Sequence, residues 1–438
     1  MGVLKIEKKT FPEIAVLLLV FLPFTYSFLV ELIGIPNVIK FISDFLLLAS
    51  LVIVALKSFS HGKLFIPKTT LPFVIIVLAF LVYAIVGYLL NYQSIFYLIW
   101  GIRNNFRFYF AFFIFVFFFQ KDSAKFCLKL IEWSFWINFA VILIQFFMGY
   151  QQDYLGGIFG VQKGCNGYTM ALLCIVVAKS LLMFMNGQEK ALKCFSICAV
   201  SLLVSALSEL KLFFVLFVLI LLVATILTRF SIKKCISVLV SFTLLFAAYL
   251  ILISLFENFE GFFSWESLAN ALLSENYGSS EDLGRFTAIP MISSNFLPDF
   301  SDKLIGMGIG NCDTSSLAIF NTEFYKLYSH IHYSIFLAPF MFIEMGFIGL
   351  TFFVSFFVVC LVKTIVAIRK KQGDVLFNQM ALIMVIICFI FMFYNAILRT
   401  EAGYIIYFIL ALPFIGLKED AKEEVKEEVK EDTYNSGS

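Results

Sequence analysis

An all-α chain crossing a membrane about twelve times is the fold class the sequence predicts, and three observations predict it. Hydrophobic residues make up 61% of the 438 positions and charged residues 14%, where a soluble domain carries about 25% charge. The apolar residues come in unbroken runs of roughly 20, the length that spans a bilayer as helix, rather than the alternating segments of about 10 that build a membrane barrel. Basic residues concentrate in alternate connections, as the inside bias of cytoplasmic loops requires. A water-soluble globule is excluded. The formal net charge of +2 is spread along the connections and gathers in no stripe, so the sequence carries no nucleic-acid footprint.

Taken in order, the apolar runs place spans at residues 11–30, 38–56, 71–90, 104–119, 130–149, 167–185, 194–207, 212–228, 235–256, 347–368, 375–396 and 403–417. The first follows Lys5, Lys8 and Lys9, is long, and lacks a small-x-small cleavage site, which predicts an uncleaved first helix and cytoplasmic termini. Inside connections then hold Lys57, Lys63, Lys68, Lys121, Lys125, Lys129, Lys190, Lys193, Arg229, Lys233, Lys234 and 369–371, all basic. Outside connections, much longer in total, hold Lys40, Lys163, Lys211, Lys303 and Lys326. The chain divides into nine spans in 1–256, a polar extracytoplasmic loop in 257–331, a re-entrant or interfacial helix and three spans in 332–417, and a charged cytoplasmic tail in 418–438. The apolar run 332–368 would be roughly 55 Å of straight helix, too long for a hydrocarbon core of about 30 Å. A break is expected at Glu344-Met345-Gly346, leaving 332–343 as the interfacial piece. The tail repeats Lys and Glu at helical spacing and reads as a solvated helix.

Seven of nine cysteines fall in or beside spans as small apolar residues. Cys165 and Cys312 face outward, and a disulfide between them stays an open alternative. No Cys/His spacing suggests a zinc site.

Of six arginines, Arg103, Arg107, Arg285 and Arg399 are expected at outward helix ends or in outward loops, against the inside bias. A planar guanidinium matches phosphate oxygens, so the set reads as a diphosphate clamp; pairing with headgroups or local carboxylates is the bland reading. Ser208-Glu209-Leu210-Lys211 forms a short charged outward turn, either an ion pair at the interface or a further phosphate contact through Lys211. His61 sits in a cytoplasmic loop. His330 and His332 lie where the outer loop returns to the membrane, and an imidazole there can accept a proton from a hydroxyl nucleophile. Gly306-Met307-Gly308-Ile309-Gly310 follows no βαβ strand and lacks the Lys-Ser/Thr ending of a nucleotide loop, so it reads as a tight turn.

An Arg in a long outer loop, a Gly-x-Gly-x-Gly turn, a His, and Glu-x-Gly-x-x-Gly before a span, here Arg285, Gly306/Gly308/Gly310, His332 and Glu344/Gly346/Gly349, resemble the O-antigen ligase and polymerase superfamily. The Gly156-Gly157-Ile158-Phe159-Gly160 turn and the Ser-Glu-Leu-Lys turn are similar to features of capsule and exopolysaccharide polymerases. Tyr333 stands where the family often has Asn, and Lys211 where many relatives place Arg. The resemblance implies a GT-C-like glycosyltransferase of the bacterial inner membrane that polymerises undecaprenyl-diphosphate-linked oligosaccharide repeat units on the outer face. It implies no metal and no cofactor, membrane lipid as surroundings, and flippase and chain-length regulator proteins as candidate partners. His332 or His330 would act as base, Arg285, Arg399, Lys211, Arg103 and Arg107 would hold the diphosphate, and Glu209, Glu344, Gly308 and Gly310 would support them. Two alternatives remain: a ligase using the same donor with another acceptor, and a secondary transporter, for which Asp44, Asn138 and Gln145 would be the intramembrane polar groups.

Overall fold

The computed structural model describes residues 11–31, 33–60, 69–162, 164–229, 231–255, 283–315 and 317–435. His61, Lys163, the lysines at 5, 8, 9, 63 and 68, and the outer-loop stretch 257–282 lie outside the described residues. Helices run over α1 (Phe11–Glu31), α2 (Ile42–Ser60), α3 (Leu71–Leu90), α4 (Ile95–Phe118), α5 (Lys121–Phe147), α6 (Asn166–Met185), α7 (Ala191–Leu207), α8 (Lys211–Leu227) and α9 (Ile232–Leu255). Short helices α10 (Ala288–Asn295), α11 (Phe300–Ile305) and α12 (Glu323–Tyr328) follow, then α13 (Leu337–Lys370), α14 (Val375–Tyr394) and α15 (Gly403–Asn435).

Among the described residues, 7 helices are long and apolar enough to cross a bilayer, within α2, α3, α5, α6, α9, α13 and α14. Shorter apolar stretches occupy Glu13–Pro23, Ala191–Leu207, Lys211–Leu227 and Gly403–Lys418. The sequence places a span at 104–119, yet α4 begins at Ile95 on the Ser94 cap. Its first four turns include Arg103, Asn104, Asn105 and Arg107, which lower its hydropathy.

The apolar window of α6 is 89% buried, against 17% in the α2 window. So α6 stands inside the bundle and α2 on its rim. The centre is aromatic: Phe73 of α3 lies 5.1 Å from Phe112 of α4, 5.1 Å from Phe356 of α13 and 4.9 Å from Phe414 of α15. Edge-on ring pairs of this kind add about 0.5–1.5 kcal/mol each beyond their buried area, and this cluster ties four helices.

The long apolar run is broken at Gly346, whose φ of 60° and ψ of −168° interrupt α13. A break frees carbonyls that must find donors. Met307 N–H donates to Ile343 O (2.9 Å) and Gly308 N–H to Glu344 O (2.7 Å). Tyr83 of α3 closes the other side, its hydroxyl 2.8 Å from Met345 O and 3.0 Å from Leu304 O, either of which can accept its one proton. A Cβ on Gly346 would stand 2.3 Å from Leu304 backbone, and one on Gly310 would stand 2.0 Å from Tyr97 O. The glycine turn is thus wedged between α4 and the broken α13, backbone against backbone.

The helix expected to start at His332 starts at Leu337. His332 instead has a left-handed φ of 51° just after a 3-10 turn at Ser329–Ile331. The expected interfacial helix is therefore shortened to the two and a half turns or so between Leu337 and the break at Gly346.

Candidate functional site

The site grows from polar residues that α4 carries inside the bundle. Arg103 donates from Nε (2.9 Å) and Nη2 (2.7 Å) to Asp44 Oδ2 of α2, and from Nη1 to Asn104 Oδ1 (2.7 Å). Its guanidinium also lies 4.7 Å from the Trp100 ring and 5.0 Å from that of Phe41. Asn104 passes the chain on, donating to Asp313 Oδ2 at 2.7 Å. The same oxygen accepts from Arg399 Nη2, while Arg399 Nε donates to Asn105 Oδ1 at 3.0 Å. Arg399 lies 4.0 Å over the Phe340 ring, on the segment between the His-bearing turn and the break. Arg107, buried, donates to the main-chain oxygen of Arg399 (3.2 Å) and faces Glu401 at 3.5 Å. Tyr168 of α6 donates to Glu401 at 3.0 Å. One polar chain therefore links α2, α4, the glycine-turn loop, the α14–α15 connection and α6.

Electrostatics inside this chain are balanced: Arg103, Arg107 and Arg399 meet Asp44, Asp313 and Glu401. Burial is the largest influence on the Glu401 carboxyl and would raise it, but Arg107, a backbone N–H, Lys40 and the Tyr168 hydroxyl together hold the group below the usual range. Glu344 is fully buried and accepts from Cys312 N–H at 3.2 Å, anchoring the residues after Gly310. Burial pushes the Cys312 thiol well up, with Glu344 and Asp313 adding to it, which favours the protonated thiol over the thiolate.

The predicted residues separate into three groups. Arg103, Arg107 and Arg399 are brought together, with Glu344, Gly308 and Gly310 supporting the turn that presents Asp313. Arg103 and Arg107 lie within α4, away from its ends, because carboxylates from other elements satisfy them there. Arg285 is placed differently, 4.6 Å over the Tyr394 ring and 5.7 Å over Phe336. His330 and His332 are both exposed on the turn that leads into Phe336, and Ile331 O accepts from Leu283 N–H at 3.3 Å. That bond ties the histidine turn to the strand of loop carrying Arg285. The third group is the 208–211 turn, where Lys211 pairs with Glu209 at 2.7 Å.

Cys165 and Cys312 are both buried thiols outside any disulfide. Cys165 Sγ lies 3.3 Å from both Tyr154 O and Gly160 O, either of which can accept its one S–H, and of the two open alternatives the structure has the one without a disulfide, with separate thiols. Asn138 and Gln145 also have a local task. Gly157 N–H donates to Gln145 Oε1 and Ile158 N–H to Asn138 Oδ1, both at 2.8 Å. They hold the 156–160 glycine turn. Among the described residues no group of three or more His, Cys, Asp or Glu is placed to hold a metal ion.

No protein-family model and no curated protein matches the chain. The functional reading therefore rests on the residues.

Asp313, Asn104, Asn105 and Glu401 were not singled out from sequence. The signal was indirect: arginines held in apolar surroundings require carboxylate partners, and Asp313 is the carboxylate that follows the glycine turn most closely.

Proposed function

We propose that this chain is a membrane-embedded glycosyltransferase that joins lipid-diphosphate-linked oligosaccharide units, in the manner of the O-antigen polymerases its motifs resemble. In this reading it lies in the bacterial inner membrane with about twelve crossings and its arginine-bearing end outward. The observation that carries it is the convergence at one end of the bundle of Arg103, Arg107 and Arg399, with Arg285 and two exposed imidazoles on the loop beside them. An acceptor hydroxyl would attack the anomeric carbon as its bond to the diphosphate oxygen breaks, the hydroxyl proton passing to His332 or His330. The departing lipid diphosphate carries the displaced electron pair as negative charge. Guanidinium groups held in fixed positions stabilise that charge without reorganising. Arg285, held over the Tyr394 and Phe336 rings on the loop tied to the histidine turn, is assigned to the leaving diphosphate in this reading.

The transferase reading is favoured over a transporter because the polar residues that transport would use have local partners, Asp44 in Arg103 and Asn138 and Gln145 in a turn. The test is incubation of the purified protein with a lipid-linked repeat unit, scored for a ladder of products. Arg285→Gln is expected to reduce laddering by about 100-fold, the order lost with one oxyanion-stabilising group, and EDTA to leave it unchanged. A full ladder from Arg285→Gln would overturn the proposal. A single transfer to a foreign acceptor, with no ladder, would redirect it to a ligase.

A further inference from the structure

At the opposite end of the bundle, α5, α6, the start of α7 and the start of α14 enclose a cavity of about 1180 Å³. Its walls carry five lysines, Lys121, Lys125, Lys129, Lys179 and Lys193, against two carboxylates, Glu132 and Asp374. Lys121, Lys125 and Lys129 repeat every four residues on α5 and so share one face. Below them Glu132 holds Lys179 at 2.6 Å and Lys193 at 2.5 Å, and Lys193 also meets Glu189 at 2.7 Å. Lys179 is 8% exposed, a cation fixed in the cavity floor. Nearer the mouth, Lys125 reaches Asp374 only at 3.6 Å with its side chain 54% exposed, and Lys121 pairs with Asp420 at 2.6 Å. Among the described residues Lys129 makes no ion pair. Trp133 and Trp136 line the same wall, and Trp133 is 60% exposed on the helix flank.

We infer that this cavity binds a phosphate-bearing anion, with the lysines of α5 taking the phosphates and the two indoles the apolar part of the ligand. Lysine-rich pockets between membrane helices suit anionic phospholipid headgroups, and indoles sit at headgroup level. The depth of the site agrees: Lys121 and Glu132 are separated by roughly 16 Å of helix, enough for two phosphates and a glycerol between them. The inference is independent of the transfer chemistry at the other end. A lipid headgroup and a free diphosphate share the recognising chemistry, and the experiment separates them.

The full chain, purified in neutral detergent, is titrated with cardiolipin, with phosphatidylcholine and with inorganic pyrophosphate, and bound species are resolved by native mass spectrometry. Cardiolipin is expected to bind more tightly than phosphatidylcholine. Lys125→Gln and Lys129→Gln, both at exposed positions that leave the floor intact, should each weaken it about fivefold, the worth of one lysine near an anionic surface. Lys326→Gln, an exposed lysine on α12, should leave binding unchanged and controls for overall charge. Pyrophosphate binding with the same lysine dependence would assign the site to a free diphosphate. Equal binding of cardiolipin and phosphatidylcholine without pyrophosphate binding, or indifference to both α5 substitutions, would overturn the inference.

Discussion

Asp313 is the residue on which the arginine network turns, because one of its oxygens accepts from both Asn104 and Arg399. Its side chain is 5% exposed and that of Arg399 14%, so removing one partner strands a buried charge. Such a loss costs about 3–5 kcal/mol, whereas removing both partners costs far less. Arg399→Ala is therefore expected to lower the thermal midpoint of the purified protein sharply, and Asp313→Asn in the same chain to restore part of it. The check is a double-mutant cycle followed by thermal unfolding in detergent. Simply additive losses would show that the two side chains do not depend on each other. The arginines were visible in the sequence because they broke the inside bias of basic residues. Asp313 was not, since the loop offers Asp299, Asp302 and Asp313 in similar polar surroundings and only the fold decides which reaches α4.

At the scale of elements, the break in α13 and the glycine turn form one unit, each supplying the hydrogen bonds the other lacks. Gly346 has φ 60° and would place a Cβ against Leu304 backbone, so two costs coincide there. A left-handed backbone alone costs an L-residue about 1–2 kcal/mol. Gly87 in α3 makes the contrast: a Cβ added there meets nothing within 4 Å, and Ala in a helix interior gains about 0.5–1 kcal/mol over Gly. Gly346→Ala should destabilise by more than about 2 kcal/mol and Gly87→Ala should be neutral or stabilising, as read from paired thermal melts. Equal behaviour would mean the backbone contact is not under strain. The length of the apolar run was enough to require this break, and Gly346 is where it falls. The start of α4 was less legible, because Arg103, Asn104, Asn105 and Arg107 depress hydropathy over a stretch that is helical only through partners on other elements. The shape of the histidine turn was hidden too: the apolar run from His332 onward reads as helix, while His332 itself is left-handed and closes local turns with Ser329 O and Ile335 N–H.

Across the whole molecule the two ends differ in the cation they use. Arginine, with a fork of donors for fixed hydrogen bonding, gathers at the end that carries the glycine turn, Asp313 and the loop with both histidines. Lysine, a flexible point charge, gathers at the other end, around the cavity between α5 and α14. There Lys418 of α15 donates to Val116 O (2.7 Å), Phe117 O (3.2 Å) and Phe119 O (2.6 Å), capping the last carbonyls of α4. Asp420 accepts from Gly373 N–H at 2.7 Å, so α15 also fastens the α13–α14 connection. If the inside bias of lysine sets the orientation, the arginine end faces outward. That assignment can be tested with single cysteines, because the described native cysteines other than Cys235 are buried. A membrane-impermeant maleimide applied to intact cells should label Glu323→Cys on α12, and should label Lys370→Cys at the end of α13 only after permeabilisation. Both positions are exposed in the fold, so silence at either reports the membrane and not burial. The opposite pattern would put the arginine network on the cytoplasmic side, where a lipid-linked glycan already carried across could not reach it, and glycan transfer at that network would have to be abandoned.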